Sequence, residues 1–321
     1  MPPPLPNVTL AVRRESWPLA RPFAISRGVK TAADVIVVEA TFEGFTGRGE
    51  CVPYARYGET LVSVEAQLSL ASHPDELPPG AARNALDCAL CDLQAKMCGA
   101  PAWYMQWLDE PTPKVTAYTI SLDTPDGMGR AAAEAADRPL LKLKLAAADP
   151  VDCVAAVRAN APRARLIADA NEGWSFAQLK DIAPDLARLG VELVEQPLPA
   201  GADEALRGWQ SPITLCADES FHVMEDLVGL KDRYGAVNVK LDKTGGLSAA
   251  AIAVKTAQAM DLKVMVGCMV GTSLAMAPAT MLLAYADYVD LDGPLLLKED
   301  RPHGIRFEGS LMHLPEPALW G

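Results

Sequence analysis

From residue 114 onward, short apolar runs alternate with longer amphipathic stretches. The runs are TAYTISL, PLLKLKL, RLIADAN, VELVEQP, ITLCADE, GAVNVKL, KVMVGCM and YVDLDG. Each has the length and apolar density of a buried strand. Between them lie seven stretches of helical periodicity, among them DPVDCVAAVRANA, SFAQLKDIAPDLARLG and LSAAAIAVKTAQAMD, several with Ser or Asp placed as an N-cap. Eight strands and seven helices in strict alternation predict a parallel barrel with one helix missing. The most apolar segment, SLAMAPATMLLAYA, is interrupted by Pro278 and reads as a buried barrel helix.

The first 115 residues lack this rhythm. VTLAVRRES, ADVIVVEATFE and GRGECV read as strands, the last two joined by a hairpin turn at Gly44 and Gly47. Helical patterns follow at about 60–72 and 80–98, and Pro111 and Pro113 mark a linker. The expected organisation is an α+β capping domain over 1–113, a (β/α)7β barrel over 114–292, and a segment 293–321 that alternates again and returns to the capping domain. A chain of 321 residues accommodates both units, because a barrel takes about 250 residues or fewer.

Composition narrows the classes of function. A formal charge of −12 argues against nucleic acid and anionic membrane surfaces as partners and leaves a small-molecule substrate. No basic segment followed by an apolar one opens the chain, and no apolar run reaches about 18 residues, so the expected location is cytoplasmic. Seven scattered cysteines, an odd count, fit a reducing compartment. Cys88, Cys91 and Cys98 fall at helical spacing and read as one buried face, since no second CxxC or nearby histidine completes a metal set. His73, His222, His303 and His313 fit no ligand spacing, and Gly245 and Gly246 read as a tight turn.

Charged residues recur where the apolar runs end. Lys144, Asp169, Glu195, Asp218, Lys240 and Asp290 are separated by 25, 26, 23, 22 and 50 residues, with Gly267 near the missing beat. The carboxyl ends of parallel barrel strands share one mouth, so these side chains gather there. Asp169, Glu195 and Asp218 offer the oxygen ligands a Mg²⁺-type cation takes, and Mn²⁺ would suit them equally. Lys142 and Lys144 share one face of their strand by its period of two. A cation and a neighbouring lysine would depress a lysine pKa, which makes Lys144 the expected base and Lys142 its electrostatic neighbour. Lys240, four strands on, faces Lys144 across the mouth, as removal and return of a proton on opposite faces of one carbon requires.

The motifs KLK, DANEGW, VEQPL, ADES, NVKLDKTGGL and GCMVGTS, with GECVPYARYGET in the first domain, resemble the muconate-lactonizing subgroup of the enolase superfamily over nearly the whole chain. The resemblance implies Mg²⁺ on Asp169, Glu195 and Asp218, Lys144 and Lys240 as the acid/base pair, and Lys142 assisting the enediolate formed by proton abstraction α to a carboxylate. It also implies that an Asp-x-Asp on the last barrel strand, here Asp290 and Asp292, binds the amine of a dipeptide. The expected reaction is therefore epimerisation at the α-carbon of a dipeptide's C-terminal residue, L-Ala-L-Glu to L-Ala-D-Glu as in murein-peptide recycling. The alternative is another reaction of the subgroup: N-acylamino-acid racemase, o-succinylbenzoate synthase or cycloisomerase. A binding module without catalysis is disfavoured, since every polar group needed for turnover is present.

Specificity is expected from capping-domain loops. Arg27 in RPFAISRG is the candidate for a side-chain carboxylate, with Arg56 in YARYGET competing. Thr119 is expected to contact substrate, and Cys268 and Met269 to line the pocket. Dimers and octamers both occur in the family, so a homo-oligomer is expected.

Overall fold

The computed structural model describes residues 8–25 and 28–321. The chain opens with an antiparallel sheet of three strands, β1 (Thr9–Ile25), β2 (Gly28–Phe42) and β3 (Phe45–Cys51). The tight turn between β2 and β3 is Glu43–Gly44, both at positive φ. Gly47, expected in that turn, lies inside β3 instead. There a Cβ would stand 2.1 Å from the Ala89 carbonyl oxygen, so this glycine allows close helix packing. Helices α1 (Leu61–Leu70) and α2 (Ala81–Cys98) cover the sheet, burying Ile36, Val38, Leu68, Leu86 and Leu93 in one cluster. A reciprocal cap between Thr60 and Ser63 starts α1. Cys88 and Cys91 are buried as expected, but Cys98 is the exposed last residue of α2.

Strand β1 runs nine residues past the segment read from its alternation. Its far half pairs with the start of β2 after a register shift between Pro18 and Phe23, and so carries an extended hairpin away from the sheet.

After the short β4 (Lys114–Val115), eight parallel strands follow: β5 (Tyr118–Ile120), β6 (Leu140–Lys144), β7 (Arg165–Asp169), β8 (Val191–Glu195), β9 (Thr214–Ala217), β10 (Ala236–Val239), β11 (Lys263–Gly267) and β12 (Tyr288–Asp290). They are hydrogen-bonded in sequence order. The ring nearly closes where Ala117 donates its N–H to the Val289 carbonyl at 2.8 Å. Of the seven connections, helices span Pro125–Glu134, Pro150–Asn160, Phe176–Arg188 and Leu247–Ala259. The fourth shrinks to a 3₁₀ turn at Asp203–Leu206. The segment with Pro278 is an α-helix to Ala279 that tightens to 3₁₀ over Thr280–Tyr285.

Ala117, Leu140, Ile167, Leu193, Cys216, Ala236, Met265 and Tyr288, one from each barrel strand or the residue leading into it, form a separate buried apolar cluster. This is the floor of the barrel interior. Counting two residues on from each brings Thr119, Lys142, Asp169, Glu195, Asp218, Asn238, Gly267 and Asp290 to the layer above. Two more reach Lys144 and Lys240. The polar residues point inward because the strand period places them on the same face as the floor.

Beyond the barrel, β13 (Phe307–Glu308) and β14 (Leu311–Met312) form a hairpin whose second strand pairs with β4. The tail meets the first sheet and its helices at both ends: Lys298 donates its N–H to the Pro18 carbonyl and Arg301 pairs with Glu50, each at 2.8 Å, while Arg48 donates to the Leu319 carbonyl at 2.8 Å and Trp320 Nε1 to the Cys88 carbonyl at 3.2 Å. No helix among the described residues is long and apolar enough to cross a membrane.

Candidate active site

Strand register places the first candidates side by side, with Lys144 opposite Asp169 and Asp169 opposite Glu195. Lys144 Nζ lies 2.5 Å from Asp169 Oδ2, and Lys240 Nζ lies 2.7 Å from Asp218 Oδ2. Lys142 sits deepest. Its ammonium is 2.5 Å from Glu195 Oε2, 2.6 Å from Asp290 Oδ2 and 3.3 Å from Asp169 Oδ2. Asn238 donates to Glu195 Oε1 at 2.6 Å.

Burial by itself would lower the Lys142 and Lys240 ammoniums, but the carboxylates facing each reverse the sign and raise both well above the ordinary lysine range. At both lysines carboxylate attraction outweighs the cost of burial. Burial would likewise raise Asp169, yet Lys144 and Lys142 hold it below the usual carboxylate range. Glu195 goes the other way, pushed up by burial and by the charge of Asp169.

Asp169, Glu195 and Asp218 are buried, oxygen-only donors on adjacent strand ends, the set a hard divalent cation prefers. Lysine ammoniums lie among them here, and among the described residues no three carboxylate, imidazole or thiolate groups converge on one point. Glu195 Oε2 makes no hydrogen bond, and Lys142 meets it as an ion pair alone. By donor chemistry and by this under-satisfied oxygen, the set fits Mg²⁺ or Mn²⁺.

The strand order divides the mouth into two arcs. Lys144 on β6 and Lys240 after β10 are four strands apart in a ring of eight, hence on opposite sides. The arc through β7, β8 and β9 carries the three carboxylates. The arc through β11, β12 and β5 carries Cys268, Met269, Asp290, Asp292 and Thr119, which all line a cavity of about 610 Å³. Asp292 Oδ2 accepts the Thr119 N–H at 2.7 Å, and Asp290 Oδ1 is buried with no hydrogen-bond partner. Burial first, then Asp290, pushes the Asp292 carboxyl up to about 6.

The capping domain supplies the roof through Phe23 and Val29 of the extended hairpin and Tyr54 and Tyr57 of the loop after β3. Arg27 lies outside the described residues. Arg56 is held by Glu172 in a two-pronged ion pair, both contacts at 2.8 Å, which engages the guanidinium expected to compete for substrate. Lys30, which sequence reasoning passed over, lines the cavity with its ammonium 5.2 Å from the Tyr54 ring centroid. No periodicity marks it, because its position depends on the hairpin folding over the barrel. Lys243, inside a quoted motif but given no role, donates to Asp218 Oδ1 at 2.5 Å from full burial. His222 packs edge-on against Tyr57, their ring centroids 4.5 Å apart, in keeping with a structural role. Gly245 and Gly246 turn the chain at φ +87° and +109°, and a Cβ on Gly246 would collide with Asp87.

Residues 7–105 match the family described as the mandelate racemase / muconate lactonizing enzyme N-terminal domain, and residues 127–318 match the enolase C-terminal domain-like family. An N-acetyl-D-glutamate racemase from Pseudoalteromonas sp is 44% identical over 300 residues, 89% of this chain and 95% of that protein. The L-Ala-D/L-Glu epimerase of Escherichia coli (strain K12) is 42% identical over 319 residues, 95% of this chain and 99% of that one. Among solved structures, an enolase family member from Agrobacterium tumefaciens with homology to dipeptide epimerases, holding sodium and L-Ala-L-Glu, superposes with a TM-score of 0.95. It is 48% identical, over 98% of this chain and 100% of that one. A dipeptide epimerase from Enterococcus faecalis complexed with Mg and L-Leu-L-Tyr gives 0.89 at 26% identity, over 96% and 97%.

Proposed function

The chain belongs to the mandelate racemase and muconate-lactonizing group of the enolase superfamily, and from that premise we propose that it is a dipeptide epimerase. It inverts the α-carbon of the C-terminal residue, with L-Ala-L-Glu and L-Ala-D-Glu as the preferred pair. The observation that carries this reading is the placement of Lys144 and Lys240 on opposite sides of the mouth, with the carboxylate arc on one hand and the Asp290–Asp292 arc on the other.

A dipeptide spanning the cavity turns its carboxylate toward the first arc and its ammonium toward the second, which leaves the α-carbon between the lysines. Asp169, Glu195 and Asp218 would hold Mg²⁺, with Mn²⁺ accepted; the bound ion supplies fixed positive charge against the substrate carboxylate. Lys142, kept protonated by three carboxylates, adds a charged donor on the same side and cannot serve as the base. Inversion in one direction needs Lys144 as amine and Lys240 as ammonium, and the reverse direction exchanges the two states. Asp290 Oδ1 is available to the substrate ammonium, and Asp292 adds negative charge beside it. Lys30 is the described cation placed to meet a side-chain carboxylate.

A second reading, racemisation of an N-acylated glutamate, is favoured by the 44% identity to the N-acetyl-D-glutamate racemase. It replaces the ammonium with a neutral amide, so the substrate brings no positive charge to Asp292 or to the free oxygen of Asp290, whose other oxygen pairs with Lys142. Proton NMR in D₂O with Mg²⁺ separates the two readings. Loss of the C-terminal α-proton from L-Ala-L-Glu with growth of the L,D diastereomer supports the first. Exchange on N-acetyl-glutamate but on none of a panel of Ala-Glu, Ala-Phe, Ala-Leu and Ala-Lys would replace it with the second.

A further inference from the structure

Gln196 follows Glu195 directly, is fully buried, and holds a backbone φ of +33°, a left-handed value unfavourable for a residue with a Cβ. Its side chain accounts for the conformation. Gln196 Oε1 accepts the backbone N–H of Asp218 at 2.9 Å and of Ser220 at 3.1 Å. Nε2 donates to the Leu198 carbonyl at 2.8 Å, Ser220 Oγ at 2.9 Å and Tyr234 OH at 3.1 Å.

The direction of that amide is set by charge. Asp203, itself buried and paired with Arg233, accepts the hydroxyl protons of Ser220 at 2.6 Å and Tyr234 at 2.8 Å. An ionised carboxylate can only accept, so both hydroxyls point their protons at Asp203 and present lone pairs to Gln196. The amide nitrogen must face the hydroxyls and the amide oxygen must face the Asp218 N–H. One side chain thereby spans the ends of β8 and β9, where Glu195 and Asp218 stand.

We infer that Gln196 is a positioning residue for the carboxylates of Glu195 and Asp218, setting their separation for a divalent cation, with the Asp203–Arg233 pair fixing its orientation. This rests on the reading that those two carboxylates hold the metal. The protein gains a site whose geometry survives the repulsion between its carboxylates.

The test is Mn²⁺ binding to metal-free enzyme without substrate, measured by electron paramagnetic resonance or calorimetry. Wild type should bind stoichiometrically; absence of binding would overturn both the metal reading and this inference. Gln196→Met, which keeps bulk but loses all five bonds, should raise the Mn²⁺ dissociation constant about 10- to 100-fold. The double variant Ser220→Ala/Tyr234→Phe, which leaves Gln196 in place but removes two acceptors, should raise it severalfold and decides the matter if Gln196→Met does not fold. Leu186→Ala, a buried change in the Phe176–Arg188 helix, should lower the melting temperature and leave the constant unchanged. Unchanged Mn²⁺ affinity in the double variant, or an equal loss in Leu186→Ala, would refute the inference.

Discussion

Replacing Asp242 with asparagine should stabilise the protein at pH 8 and leave it nearly unchanged at pH 4. Asp242 is buried two residues after Lys240, where its Oδ1 accepts the Val52 N–H at 3.1 Å and Asn84 Nδ2 at 2.9 Å, joining barrel to capping domain. Burial pushes its carboxyl up to about 7, those two bonds opposing and the charges of Glu59 and Glu50 adding to the rise. In the unfolded chain it titrates near 3.9. Between those values the folded chain keeps a proton that the unfolded chain has released. The Asp242 contribution to stability therefore falls as pH rises from about 4 to about 7 and is level above. About three pKa units set a ceiling of about 4 kcal/mol at 1.36 kcal/mol per unit. Asparagine keeps the Oδ1 acceptor and cannot ionise, so it removes this loss. Relaxation around the buried charge brings the expected gain to about 2 kcal/mol, or about 4 °C in melting temperature for a chain of this size. Scanning calorimetry of both proteins in EDTA at several pH values gives the answer. A difference in melting temperature that does not change with pH, or a variant no more stable than wild type at pH 8, would refute the reasoning.

Three further outcomes follow from the two-arc arrangement. Lys144→Ala and Lys240→Ala should each lower epimerisation at least about 10²- to 10⁴-fold, while one variant still exchanges the α-proton of the L,L substrate and the other that of the L,D substrate, read by mass increase in D₂O. Asp292→Asn should lower kcat/KM for Ala-Glu about 10-fold at pH 7.5 and leave N-acetyl-glutamate unaffected; in wild type the preference for the free amine should fade as pH drops through about 6, where Asp292 gains its proton. Lys30→Met should raise KM for Ala-Glu about 10-fold and change Ala-Leu little, so equal effects on both would exclude Lys30 as the side-chain cation.

Much of the barrel was legible because parallel strands buried on both faces produce dense apolar runs at a fixed repeat. The same period of two that hides the floor residues also carries Asp169, Glu195 and Asp218 inward, so the polar layer could be read two residues beyond the apolar one. Where local pattern and tertiary role diverged, the reading failed. Gly47 looked like a turn residue and instead admits α2, and the end of β1 was missed because Pro18 and Pro22 interrupt its alternation.

By itself, then, the sequence determined the class of fold, the three acidic strand ends and the two lysines, since each depends on spacing along one strand or between successive ones. Tertiary structure alone decided which groups share an oxygen. That Lys142 lies among Glu195, Asp290 and Asp169, that Arg56 is engaged by Glu172 while Lys30 faces the cavity, and that Gln196 ties two strand ends together are contacts between residues far apart in the chain. Their energies depend on burial and on the full set of neighbouring charges, quantities that exist only once the ring has closed and the hairpin has folded over it.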